Sequence, residues 1–194
     1  MRKLVLIVSI LALYAVSFAA KNEDQQEFAG IPFGMTREQV VEEIIKLGYE
    51  PYGTAESNDR IVIPVYMMGD LPVQVDFLFN RNDKFYSFEI RTGRIEERRL
   101  PKIFEAIDYM GEQFSIKYGT PGQEPPNWTG ADIRPGTNLY QEWFGVRTLN
   151  VSTAIICKDG LFYTVGVVTN RTLAKEAEKP QKASNAGAKA KAAF

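Results

Sequence analysis

The chain has 194 residues, with 23 lysines and arginines against 24 aspartates and glutamates, a single cysteine and no histidine. Without histidine, the usual zinc sites and the Ser-His and Cys-His nucleophile systems are excluded. With Cys157 alone no intramolecular disulfide can form, so the fold must rest on its hydrophobic core, and the length suits one domain with a sizeable core.

Met1-Arg2-Lys3 is a short basic start, residues 4–16 are apolar except for Ser9, and Ser17-Phe18-Ala19-Ala20 supplies small residues. This pattern predicts a signal peptide over residues 1–19, cleaved after Ala19. An uncleaved anchor helix is the alternative, but the apolar run sits at the short edge of a bilayer span and polar Lys21-Asn22-Glu23-Asp24 follows at once. No cysteine stands at the cleavage site to carry a lipid, so the expected location is periplasmic or secreted.

Beyond a polar lead-in, residues 28–35 form a compact apolar turn segment. Thr36-Arg37-Glu38-Gln39 fits a capping box, and Val40, Val41, Ile44, Ile45 and Leu47 give one apolar face of a helix that Gly48 ends. Three strands follow. Residues 61–68 are rich in β-branched side chains and end in a Gly69-Asp70 turn. Over 71–79, Leu71, Val73, Val75, Phe77 and Phe79 alternate with Pro72, Gln74, Asp76 and Leu78, which predicts one wet face. Asn80-Arg81-Asn82-Asp83 turns the chain into 85–92, where Tyr86, Phe88 and Ile90 are expected to face the core.

A second helix is predicted over 101–118, with Pro101 at its first position and Ile103, Phe104, Ile107, Met110, Gly111, Phe114 and Tyr118 on its apolar face. Residues 120–138 form one long irregular stretch holding Pro121, Pro125, Pro126 and Pro135. Strands at 139–146, 149–157 and 161–169 close the pattern, the last two joined by Lys158-Asp159-Gly160. The expected fold is therefore α+β, ordered helix, three strands, helix, three strands, with an antiparallel sheet and two helices on one face, in a single domain over 28–172 with two similar halves. The stretch from Lys175 onward lacks apolar periodicity and is expected to be a disordered, lysine- and alanine-rich tail.

Five lysines against two glutamates in residues 175–194 leave the body of the chain acidic, which argues against nucleic acid as a partner. The tail's lysines could instead make weak contacts with an anionic surface. No nucleophile elbow, phosphate loop or calcium loop is present, and neither cofactor nor metal is expected. Asp76, Glu89 and Glu142 fall on strand faces where two of them could pair as hydrolase carboxylates; a solvated sheet face explains them equally well. The buried run around Cys157 suggests an inert thiol. In the long stretch, Asn127, Trp128 and Ile133 are the candidate partner-binding residues: Trp128 either anchors a partner or folds back over the open edge of the core. Asn127, Asn150 and Asn170 each begin an N-x-S/T triplet, which matters only in a host that glycosylates exported proteins.

The run Gly30-Ile31-Pro32-Phe33-Gly34-Met35-Thr36-Arg37-Glu38-Gln39-Val40, closing in Leu47-Gly48-Tyr49, resembles the helix opening of small bacterial envelope proteins. These are the outer-membrane assembly lipoprotein group (SmpA/OmlA, also called BamE) and proteins with the beta-lactamase-inhibitor-protein-like fold. The runs Lys84-Phe85-Tyr86-Ser87-Phe88-Glu89-Ile90 and Lys117-Tyr118-Gly119-Thr120-Pro121, with Trp143, resemble secreted bacterial proteins of unknown function. This chain lacks the assembly group's lipid-bearing cysteine and the inhibitor's disulfides. The resemblance implies a bacterial, periplasmic or secreted, non-catalytic binding module without saying for which partner; another protein of the cell envelope is the expected one. A secreted enzyme inhibitor using the Trp128 loop is the alternative, and a carboxylate-dependent hydrolase ranks third.

Overall fold

The period-two pattern of residues 71–79 builds the strand next to one edge of a sheet. A computed structural model describes residues 26–52 and 60–178; the signal peptide, its cleavage after Ala19 and the tail beyond Glu178 lie outside the described residues. A two-residue hairpin comes first, β1 (Glu27–Phe28) and β2 (Ile31–Pro32), turned by Ala29 and Gly30 at φ of 48° and 86°. Helix α1 (Arg37–Lys46) carries the complete capping box, the Thr36 hydroxyl accepting from the Gln39 amide while the Gln39 side chain accepts from the Thr36 amide. Strands β3 (Arg60–Met68), β4 (Leu71–Phe79) and β5 (Phe85–Arg91) follow, then a short β6 (Ile95–Glu96), a 3-10 turn at Glu97–Arg99, and helix α2 (Leu100–Tyr118). After a second 3-10 turn at Gly130–Asp132 come β7 (Gly136–Trp143), β8 (Leu149–Lys158), β9 (Leu161–Asn170) and helix α3 (Arg171–Glu178).

The fold is mixed α+β on an antiparallel sheet. Its strands run in the order β3-β4-β5-β9-β8-β7, with β6 pairing beside β9. Register lines up whole rows of side chains across six strands. One core-facing row reads Ile61, Phe77, Phe88, Val168, Val151, Trp143, and the next reads Ile63, Val75, Ile90, Gly166, Thr153, Gln141. Val40 and Ile44 of α1, Phe28 and Ile31 of the small hairpin, and Met110, Phe114 and Tyr118 of α2 join the first row in one large core. A second core lies under the first half of α2, where Leu100, Ile103 and Ile107 meet Ile133, Tyr140, Ile155 and Phe162.

The second row changes from bulky to small where α2 crosses it. Gly166 leaves the space that Phe114 and Met110 fill: a Cβ there would stand 2.6 Å from the Phe114 ring and 2.8 Å from the Met110 sulfur. Gly111 plays the same part from the helix side, lying directly on the side chain of Gln141.

Several sequence expectations need correction. Opposite the β4–β5 turn the register slips, so Phe85 is fully buried and Tyr86 only half-buried, where Tyr86 was expected in the core. A bulge adds a residue and breaks simple alternation, which a period-two reading cannot anticipate. Strand β7 starts at Gly136 and stops at Trp143, so Phe144 is 67 % exposed. The chain is helical, not disordered, from Lys175 to Glu178, because Asn170 accepts from the amides of Thr172 and Leu173 and starts α3. Helix α2 begins one residue before Pro101, behind its 3-10 turn, and Cys157 is only half-buried at the margin of the second core.

Gly166→Ala is expected to destabilise the fold by about 1–3 kcal/mol, since a buried aromatic ring must move to admit one methyl group. Chemical denaturation of the full chain measures this, and an unchanged midpoint would show that α2 does not rest on β9 as described.

Candidate binding groove

Gly119, at φ 89°, ends α2, and its carbonyl accepts a 2.8 Å hydrogen bond from the Trp143 indole. The chain then runs back along the helix. It is pinned near its start by the Gly122 amide donating to the Glu142 carbonyl on β7, 2.7 Å, with Phe144 lying over Gly122. Further on it is pinned by Trp128, Asp132 and Ile133. Trp128 is half-buried, packs on the second core and meets the Tyr140 ring edge-on at 5.5 Å. Asp132 accepts from both the amide and the hydroxyl of Thr129, 2.7 and 2.8 Å, and these two bonds hold its carboxyl below the ordinary carboxylate range. Ile133 is 9 % exposed. Of the three candidate partner-binding residues, then, Ile133 belongs to the core, Trp128 folds back over it, and Asn127 alone is exposed.

Between the two pinning points the chain stands off α2 and leaves a groove of about 920 Å³. One wall is α2, with Asp108, Glu112, Ser115 and Ile116; the other is Pro121, Glu124, Pro125, Pro126 and Asn127; Tyr140 and Gln141 lie in its floor. Among the described residues three carboxylates line it and no lysine or arginine does. The Tyr140 hydroxyl donates to Asp108 at 2.6 Å, and burial, then this bond, push its pKa upward, so it stays a donor through the physiological range. Ile116 is 74 % exposed on the rim. The sequence marked the proline-rich wall but not the floor. Gln141 lies in a bulged stretch of β7, where Tyr140 and Gln141 are both buried, and no local pattern announces a bulge.

The strand carboxylates divide differently. On the outer sheet face the row reads Val62, Asp76, Glu89, Val167, Ser152, Glu142. Asp76 and Glu89 are neighbours, while Glu142 stands three strand spacings from Glu89, roughly 14 Å. Asp76 is fully buried on what was expected to be a wet face: its carboxylate accepts from Arg60 at 3.1 Å, Arg91 at 2.9 Å and Gln74 at 2.6 Å. Asp83, in the turn that offered oxygen ligands, instead accepts from the amide and side chain of Arg37, fixing the start of α1. Among the described residues no group of three or more Cys, Asp or Glu side chains could hold a metal ion, and no helix is long and apolar enough to cross a membrane. Of the N-x-S/T asparagines, Asn127 and Asn150 are exposed, whereas Asn170 is engaged in capping α3.

No protein-family model, curated protein or solved structure matches the chain.

Asp76→Asn keeps the shape and removes the charge that Arg60 and Arg91 share. A buried pair broken on one side costs about 3–5 kcal/mol and an exposed pair about 0–1. Arg60 is 46 % and Arg91 28 % exposed at the side chain, so a loss near 2 kcal/mol is expected, roughly midway between those limits. Arg60→Met should cost less, because Arg91 still pairs with Asp76. Denaturation midpoints of the two variants check the order.

Proposed function

We propose that the protein is an exported, non-catalytic binding module of the bacterial cell envelope, and that the groove beside α2 receives a segment of another envelope protein. The observation that carries this reading is the groove itself: some 920 Å³ between a helix and a doubly pinned proline-rich segment, with Asp108, Glu112 and Glu124 facing it and no lysine or arginine among the described residues that line it. Export rests on the basic start, the apolar run and the small residues before Lys21. The reading takes residues 28–172 as one domain of two similar halves, each a helix and three strands, with α1 and α2 on one face, as the likeness of its helix opening to small envelope proteins suggests. Trp128 packs against Tyr140 and the second core rather than standing out from the surface. This favours a receiving groove over a loop inserted into an enzyme's cleft.

A photo-reactive amino acid at Ile116, introduced into the full chain in a bacterial envelope host, is expected to give one discrete protein adduct. The same group at exposed Asn82, in the turn after β4, should give none. Equal labelling at the two positions, or no adduct at Ile116, would remove the groove as a binding site. The N-terminus of the recovered protein should be Ala20; retention of Met1 in the envelope fraction would contradict cleavage.

A further inference from the structure

Gln141 sits in the groove floor only 4 % exposed, and among the described residues no hydrogen bond engages its side-chain amide. Among the described residues the Thr153 hydroxyl is the sealed polar atom without a partner, so the Gln141 amide, which makes no bond to protein, meets solvent in the groove, where a ligand can take the place of water. A glutamine side chain offers one carbonyl and one amino group side by side, the complement of a peptide unit in an extended chain. The rest of the groove restricts the ligand further. Asp108, Glu112 and Glu124 form no salt bridge among the described residues. The wall opposite the helix contains Pro121, Pro125 and Pro126, which have carbonyls but no amide hydrogen to offer. Three carboxylates without a salt bridge among the described residues call for a cationic occupant, and lysine and arginine are donors without acceptors.

From this we infer that the groove recognises an extended, lysine- or arginine-bearing segment of a partner protein, Gln141 pairing with its main chain and Asp108, Glu112 and Glu124 with its cations. The inference rests on the binding-module reading above and adds the partner's chemistry. Gln141 is the residue that reads backbone; the three carboxylates read charge. A neutral glycan would satisfy the amide but leave the carboxylates unmatched, and a small cation would do the reverse.

Calorimetric titration of the full chain with an unstructured decapeptide carrying lysine at alternate positions tests it. Binding is expected, weakened about tenfold or more when the same peptide carries acetyl-lysine. Glu112→Gln with Glu124→Gln, both on the groove's walls, should weaken it about tenfold, and Gln141→Leu by a similar factor. Equal affinity for the lysine and acetyl-lysine peptides would overturn the inference, while a discrete Ile116 adduct in the same protein would leave the binding-module reading standing. Unchanged affinity in the folded Gln141→Leu protein would remove main-chain recognition. Residues 179–194 hold four lysines and no acidic residue. If replacing those four lysines by glutamine in the full chain tightens peptide binding, the occupant is the chain's own segment, and the assignment to a partner protein fails.

Discussion

The antiparallel pairing of β5 with β9 is the interaction on which the rest of the structure depends. Five register pairs, from Ser87 with Thr169 to Arg91 with Val165, join two meanders that would otherwise each expose the edge of their third strand. A three-stranded meander with one helix is close to the smallest unit that can stand alone. Joined through β5 and β9, the two halves share one row of buried side chains, Phe88 beside Val168, across the seam. The pairing also fixes where the free edges fall. They are β3 and β7, at opposite sides of the sheet, and each is blunted differently. β3 carries Pro64, a bulge, and a bridge to Tyr52, whose amide and carbonyl both bond Val62. β7 is capped at Glu142 by the amide of Gly122.

That second edge is where the fold becomes asymmetric. Helix α2 lies close to β7, β8 and β9, which demands small residues at the crossing: Gly111 on the helix, Gly166 and Thr153 on the strands. Close approach is favourable at Gly166, where Met110 and Phe114 fill the gap. At the outermost strand it leaves Gln141 beneath Gly111, with the Thr153 hydroxyl beside it unpaired. Sealing the Thr153 hydroxyl without a partner is costly, while the Tyr140 hydroxyl in the same floor donates to Asp108. The proline-rich segment does not seal the opening, because Gly122 and the Trp128–Ile133 stretch hold it at two points and let it stand away between them. Core packing of the helix and the existence of the groove are therefore the same structural fact seen from two sides.

What could be read from the sequence is what is decided locally. The capping box at Thr36, the alternation of residues 71–79, the Asn80 turn and the apolar spacing of α2 each depend on neighbours within a few residues, and each is present. What could not be read depends on distant partners. Asp76 looked like a solvent-facing residue because its alternation put it on the outer face; it is buried because Arg60 and Arg91, on the flanking strands, fold over it. Tyr86 and Phe85 exchanged places, and Gln141 entered the core, through bulges set by pairing across strands. Ile133 and Trp128 looked like loop residues until the second core formed beneath them. Helix α3 escaped notice because its N-terminal cap, Asn170, also ends a strand, and an alanine- and lysine-rich stretch reads as disorder when its docking partners, Asn80 and Gly34, lie far back in the chain.

The two acidic clusters make the functional argument by contrast. On the outer face a single carboxylate, Asp76, faces two guanidinium groups and an amide, and both of its oxygens are engaged. Such a cluster is complete; a ligand arriving there would have to displace bonds already made. In the groove, among the described residues, three exposed carboxylates form no salt bridge, the Gln141 amide makes no hydrogen bond, and Ile116 stands exposed on the rim. The first cluster is closed by bonds within the protein, whereas Asp108, Glu112 and Glu124 are exposed to solvent. A groove lined by three carboxylates that form no salt bridge among the described residues is the feature on which the proposed cationic partner rests.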